Sequence, residues 1–117
     1  MKIELIRGDS LKLKFTRKDD EGKAILTTPS ALYFSVKNST YQEDVILQKT
    51  LDDMEFDSVS GQYSFFINPE DTNNLSYGSY KFDLEVKDDM GGLEYTKTIA
   101  IGDFVIKEEV TFVSNEV

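Results

Sequence analysis

Ser79–Lys87 reads SYKFDLEVK, in which Tyr80, Phe82, Leu84 and Val86 alternate with Lys81, Asp83, Glu85 and Lys87. Successive side chains of an extended chain point to opposite faces, so this alternation predicts a strand with one apolar and one wet face. A slip of one residue would turn all four charged side chains into the core, and the register is therefore strongly specified. Phe82 and Leu84, in the middle of the run, are expected to lie at the centre of that core.

The same signal recurs outward in both directions. After the strand, Asp88-Asp89-Met90-Gly91-Gly92 predicts a hairpin, Leu93–Ile101 its return, and Phe104–Phe112 a last strand. Before it, Lys2–Ile6 alternates, and Leu11–Phe15 places Leu11, Leu13 and Phe15 opposite Lys12 and Lys14. Lys18–Lys23 (KDDEGK) is a turn, because Asp side chains hold local backbone and Gly22 permits positive φ. Leu32, Phe34 and Val36 form the next inward set, Asn38–Asp44 reads as a polar loop, and Val45–Leu51 as an edge strand. A second turn at Asp57–Gly61 leads into Tyr63, Phe65 and Ile67. Seven to eight short strands with turns between them, and no repeat or linker, predict one all-β domain over residues 1–117.

One short helical turn is expected near residues 69–75. Asn68 is a capping residue, Pro69 suits the first helical position, and Glu70 and Asp71 fall where the helix dipole favours acids. Asp71, three residues after Asn68, approximates a capping box. The run that follows, Leu75-x-x-Gly78-x-Tyr80, is similar to a tyrosine corner, in which a phenol hydroxyl bonds upstream backbone and pins a crossing between sheets. That favours an immunoglobulin-like antiparallel β-sandwich over a closed barrel, with Asn68, Pro69, Gly78, Tyr80, Phe82 and Leu84 as its structural residues.

Composition excludes more than it identifies. Residues 1–58 carry 9 Lys/Arg against 11 Asp/Glu and residues 59–117 carry 4 against 11, which gives −2 and −7 and a net charge of −9. An acidic surface repels phosphate backbones and anionic lipid, so neither nucleic acid nor membrane is expected as a partner. The amino terminus, MKIELIRGDS, has no apolar run of signal-peptide length, which points to synthesis in a cytoplasm or excision from a longer protein. Two N-x-S/T sequons, at Asn38 and Asn74, are then chance occurrences.

With no His and no Cys, the commonest general base, the thiol nucleophile and the commonest zinc ligands are missing, so no enzyme, cofactor or small-molecule substrate is expected. Arg7-Gly8-Asp9-Ser10 spells a cell-adhesion tetrapeptide, but Gly and Asp between two alternating runs are what a turn requires. Acids cluster at Asp19-Asp20-Glu21, at Asp52-Asp53 with Glu55 and Asp57, and at Asp88-Asp89. Counting an EF-hand from Asp53 puts Ser58 where Gly belongs and Ser64 where Glu belongs, which leaves only a loose calcium site between turns as an alternative to solvated turns. Tyr33, Tyr41, Phe66 and Tyr95 fall outside the inward sets and are the candidates for a sugar-stacking platform.

The ordered set of signals resembles β-sandwich domains of phage tail and baseplate proteins, such as the amino-terminal domain of baseplate upper proteins and related prophage proteins. The matching stretches are RGDS (7–10), LKLKFTRKDDEGK (11–23), LTTPSALYFSVKN (26–38), GQYSFFINPEDTNNLSYGSYKFDLEVKDDMGG (61–92) and TKTIAIGDFVIKEEVT (96–111). Pro69-Glu70-Asp71-Thr72, with Leu75, Gly78 and Tyr80, is the most specific of them. The resemblance implies a non-enzymatic structural or docking module located in a virion, whose partners are other virion proteins or further copies of itself. It carries over no functional residues, because the motif is a folding signature. The alternative is a carbohydrate- or protein-binding module of a bacterial surface protein. Exposed strand edges, Val45–Leu51 among them, are the surfaces through which the virion module would bind by strand addition.

Overall fold

The alternating runs become eight strands in a computed structural model of the protein, which describes residues 1–38 and 45–108. In chain order these are β1 (Lys2–Ile6), β2 (Leu11–Thr16), β3 (Ala31–Lys37), β4 (Val45–Thr50), β5 (Glu55–Asp57), β6 (Gln62–Ile67), β7 (Gly78–Met90) and β8 (Leu93–Lys107). A 3₁₀ turn at Leu51–Asp53 and one short helix, α1 (Pro69–Thr72), are the remaining regular elements among the described residues. The fold is mostly β, in two sheets: five strands in the order β1-β8-β7-β3-β4 and three in the order β2-β6-β5. The polar loop expected over Asn38–Asp44 lies, from residue 39 on, outside the described residues.

The inner faces of the two sheets meet through aromatic rings. Phe34 of β3 sits 5.5 Å from Phe82 and 6.3 Å from Phe104 in its own sheet, and 5.1 Å from Phe65 in the other. Leu5, Leu32, Val36, Leu47, Tyr80, Leu84, Val86 and Ile106 complete the buried face of the larger sheet, and Tyr63, Phe65 and Ile67 form that of the smaller. Tyr63 lies between its cross-strand neighbours Phe15 and Phe56, at 4.9 and 4.6 Å, a row of aromatic pairs of the kind that stabilises sheets. Leu11, Leu13 and Phe15 face inward as expected but are only half buried, because β2 is the edge of the narrower sheet.

Three expectations are corrected. The sheets are not wholly antiparallel: β1 pairs with β8 in parallel, Lys2 opposite Asp103 through Ile6 opposite Lys107. The chain leaves β1 for the other sheet through the Arg7–Gly8 turn and never folds back beside it, so the two strands run the same way. Second, Leu93–Ile101 and the following run are one strand, β8, because Gly102 pairs opposite Phe82 and does not interrupt the ladder. A Cβ on Gly102 would collide with the Met1 carbonyl, the group that accepts the Asp103 N–H; glycine there is what lets β1 begin. Of the run expected to end at Phe112, residues from 109 on lie outside the described residues. Third, the hairpin turn is confined to Gly91-Gly92, both with positive φ as a tight two-residue turn requires, while Asp88–Met90 stay in β7.

The connection from β6 to β7 crosses between the sheets and is pinned repeatedly. Asn68 precedes α1, its N–H donating to Asp71 Oδ2 at 2.7 Å, and Pro69 opens the helix. Beyond α1, the Tyr80 hydroxyl donates to the Ser76 carbonyl at 2.6 Å across the start of β7 at Gly78. Tyr80→Phe leaves that carbonyl without its donor and is expected to lower stability by about 1–2 kcal/mol. Phe82→Ala, which opens a cavity beside Phe34, is expected to cost about 3–5 kcal/mol. Chemical denaturation of the two variants checks both, and a smaller loss for Phe82 than for Tyr80 would contradict the placement of the core.

Candidate functional site

The two sheets differ in reach as well as width. β7 and β8 form a hairpin paired from Gly78 opposite Ile106 to Met90 opposite Leu93, but β1 accompanies β8 only along Asp103–Lys107. Among the described residues, the backbone of Leu93–Ile101 therefore has a strand on one side only. Opposed residues share a face, so Leu93, Tyr95 and Lys97 point the same way as Met90, Asp88 and Val86, toward the side on which the smaller sheet lies. That sheet does not cover them. Met90 is 61% exposed, Leu93 74% and Tyr95 51%, and Ile101 on the opposite face is 60% exposed.

Between this arm and the segment that follows β2 runs an open groove of about 820 Å³, lined by Phe15, Arg17, Ile25, Leu84, Tyr95 and Ile99 among others. Arg17 is its polar anchor. Although only 8% exposed, Arg17 donates from Nη1 to Asp88 Oδ2 at 3.0 Å and from Nη2 to the Thr27 carbonyl at 2.9 Å, tying the end of β2 to β7. Its Nε and the Tyr63 hydroxyl are both buried, with no well-formed hydrogen-bond partner among the described residues. Burial pushes the Tyr63 phenol up, and the neighbouring Arg17 charge partly offsets this.

The other edges carry features that discourage strand addition. At β1, Glu4 is held between Lys2 and Lys107, each at 2.7 Å. β2 turns Lys12 and Lys14 outward, and β5 is three residues long with Glu55 and Asp57 exposed. β4 is an edge, as its sequence indicates, but it sets Lys49 on the inner face, opposite Phe34, where Asp71 of α1 holds it at 2.8 Å. A register shift between Val36 and Lys37 interrupts its ladder further. Among the described edges, only the free part of β8 combines length, exposed apolar side chains and few charges. The sequence points to Val45–Leu51 as such an edge; that Leu93–Ile101 has no second neighbour among the described residues is not encoded in local pattern.

The remaining sequence candidates are dispersed or engaged. In the RGDS segment, Arg7 reaches the Tyr77 hydroxyl at 2.9 Å and stacks 4.3 Å from its ring, the Gly8 N–H donates to Thr72 Oγ1, and Asp9 and Ser10 are exposed. The segment makes the turn between β1 and β2 and braces the crossover after α1. The acidic turns bind their own backbone: Asp19 Oδ1 accepts from the N–H groups of Glu21 and Lys23, Asp57 Oδ1 from those of Val59 and Ser60, and Asp89 Oδ1 from that of Gly92. No three metal-ligating side chains gather among the described residues. Tyr33, Phe66 and Tyr95 stand on β3, β6 and β8, with Phe66 under Lys12 at 5.5 Å, so they form no common platform; Tyr41 lies outside the described residues. No described helix is long and apolar enough to cross a membrane.

No protein-family model matches this chain, and no curated protein matches it.

Two measurements probe this arrangement. Arg17→Ala strands Asp88 and the Thr27 carbonyl together, and is expected to cost about 2–4 kcal/mol in denaturant unfolding. At the β1 edge, hydrogen bonds from Lys107 and then Lys2 lower the Glu4 carboxyl to about 2. Because the folded value is depressed, the stability this trio contributes is present above the ordinary glutamate range and is lost as pH falls through that range toward about 2. Carboxyl titration by NMR should place Glu4 well below the other glutamates in low salt and move it upward in high salt, since the group is exposed to screening.

Proposed function

We propose that this chain is an immunoglobulin-like β-sandwich serving as a non-enzymatic docking module of a phage or prophage virion, at the tail or baseplate. Strand order supports the fold part of this reading. With β2 taken as strand B, the sheets run B-E-D and C′-C-F-G, the arrangement of immunoglobulin domains, and Tyr80 falls at the start of F where that fold keeps its tyrosine corner. β1 then serves as a short first strand laid beside G.

The open edge of β8 is the observation that carries the docking part. A row of backbone donors and acceptors with no strand partner among the described residues, beside exposed Leu93 and Tyr95, is a template for an incoming strand. In strand addition, main-chain hydrogen bonds supply affinity, and the groove beside Tyr95 and Arg17 supplies selectivity by receiving alternate side chains of the partner. The resemblance of the RGDS, PEDT and Gly-x-Tyr stretches to baseplate sandwich domains supplies the setting. Mass spectrometry of phage particles purified from the source strain after prophage induction is expected to find the chain among the particle proteins. Its absence from particles whose other structural proteins are recovered would overturn the virion assignment.

A further inference from the structure

We infer that the occupant of the open β8 edge is a second copy of this chain, the two five-stranded sheets joining β8 to β8 about a two-fold axis into one continuous sheet. The inference rests on the docking role of that edge and goes further by naming its partner and register.

A two-fold interface must be self-complementary, each residue meeting its counterpart in mirror order. Keeping the groove faces of both copies on one side requires an antiparallel register centred on a residue. Centring on Thr96 sets Tyr95 opposite Lys97, Glu94 opposite Thr98, and Thr96 opposite itself. No like charges meet, and each Lys97 ammonium lies beside a Tyr95 ring, a favourable cation–π pair. Lys97 has no ion-pair partner among the described residues, and Glu94 is already held by Lys87 at 2.9 Å. Centring on Lys97 would oppose two ammonium groups. Centring on Thr98 would drive the Gly91-Gly92 tip of each copy past Ile101 into Met1, where β1 begins. Centring on Tyr95 shortens the overlap. In the Thr96 register the tip stops opposite Ala100 and Ile101, so the arm of one copy fills the vacancy that β1 leaves in the other.

Charge favours the same occupant. Two chains of net charge −9 repel over most of their surfaces, yet Leu93–Ile101 carries one Glu and one Lys and is locally neutral. It is therefore a place where copies approach without a like-charge penalty. The regular part of the ladder ends at the register shift by Ile99, which confines pairing to Leu93–Thr98 and its immediate neighbours.

The chain has no cysteine, so single Cys substitutions report the register without interference. Directly opposed residues of antiparallel strands lie about 4.5–5.5 Å apart at Cα, within disulfide reach. Thr96→Cys is expected to cross-link under mild oxidation roughly tenfold or more faster than Glu94→Cys or Thr98→Cys, because its thiol meets itself at high effective concentration. Light scattering of the unmodified chain at micromolar concentration is expected to give a dimer, and Thr96→Lys, which opposes two charges on the axis, a monomer with an unchanged melting transition. A monomeric unmodified chain whose Thr96→Cys variant cross-links no faster than the two controls would overturn self-pairing. If in that case Thr96→Lys also failed to enter particles that take up the unmodified chain, the edge would belong to a different virion protein: self-pairing would fall and the docking role would stand.

Discussion

Phe34 is the residue on which the two layers close. It stands on β3, beside the central strand β7 of the larger sheet, and its ring is packed against Phe82 and Phe104 from the same side and Phe65 from across the interface. Two pleated sheets can bury one face each only if their side chains interdigitate to near-crystalline density, and large aromatic rings do this with few residues. A smaller sheet of three strands can therefore cover the middle of a sheet of five, but not its whole length. The half-buried β2 side chains and the bare end of the β7–β8 arm follow from that shortfall.

Because the core is concentrated around Phe34, the margins are held by polar contacts. At one end the crossover from β6 to β7 is fixed by Asp71 with Lys49 and Asn68, by Thr72 with Gly8, and by Tyr80 with Ser76. At the other, Arg17 bonds Asp88 and the Thr27 carbonyl under the groove. The two ends differ in what they leave exposed. The crossover end uses its donors and acceptors internally, whereas the arm end holds β7 firmly and leaves the outer side of β8 along Leu93–Ile101 without a neighbour among the described residues. That asymmetry is the reason the proposed docking is placed at the arm.

Charge distribution reinforces the division. Several acidic side chains are engaged in turns, where Asp19, Asp57 and Asp89 accept from nearby backbone, or at a paired edge, where Glu4 is held by its two lysines. These groups keep copies apart over most of the surface and blunt the edges they occupy. The free stretch of β8 carries a single acid, Glu94, which Lys87 holds at 2.9 Å.

Period-two alternation in Tyr80–Val86, Leu32–Val36 and Tyr63–Ile67 was enough to determine that the chain is β, which side chains are buried and in which register, because a pleated strand offers two faces and only one of them tolerates charge. Local chemistry likewise determined the cap at Asn68 and Pro69 and the hydroxyl contact of Tyr80, whose partners lie within a few residues. What sequence could not decide were contacts between residues far apart in the chain. The Arg7 and Gly8 contacts to the crossover span more than sixty positions, and the carbonyl of Met1 occupies the space that a side chain at residue 102 would need. The continuity of β8 through Gly102 and the edge beside Tyr95, which has no neighbour among the described residues, are likewise absent from the local pattern. An edge is defined by a missing neighbour, and only the packed arrangement of all strands determines which neighbour is missing.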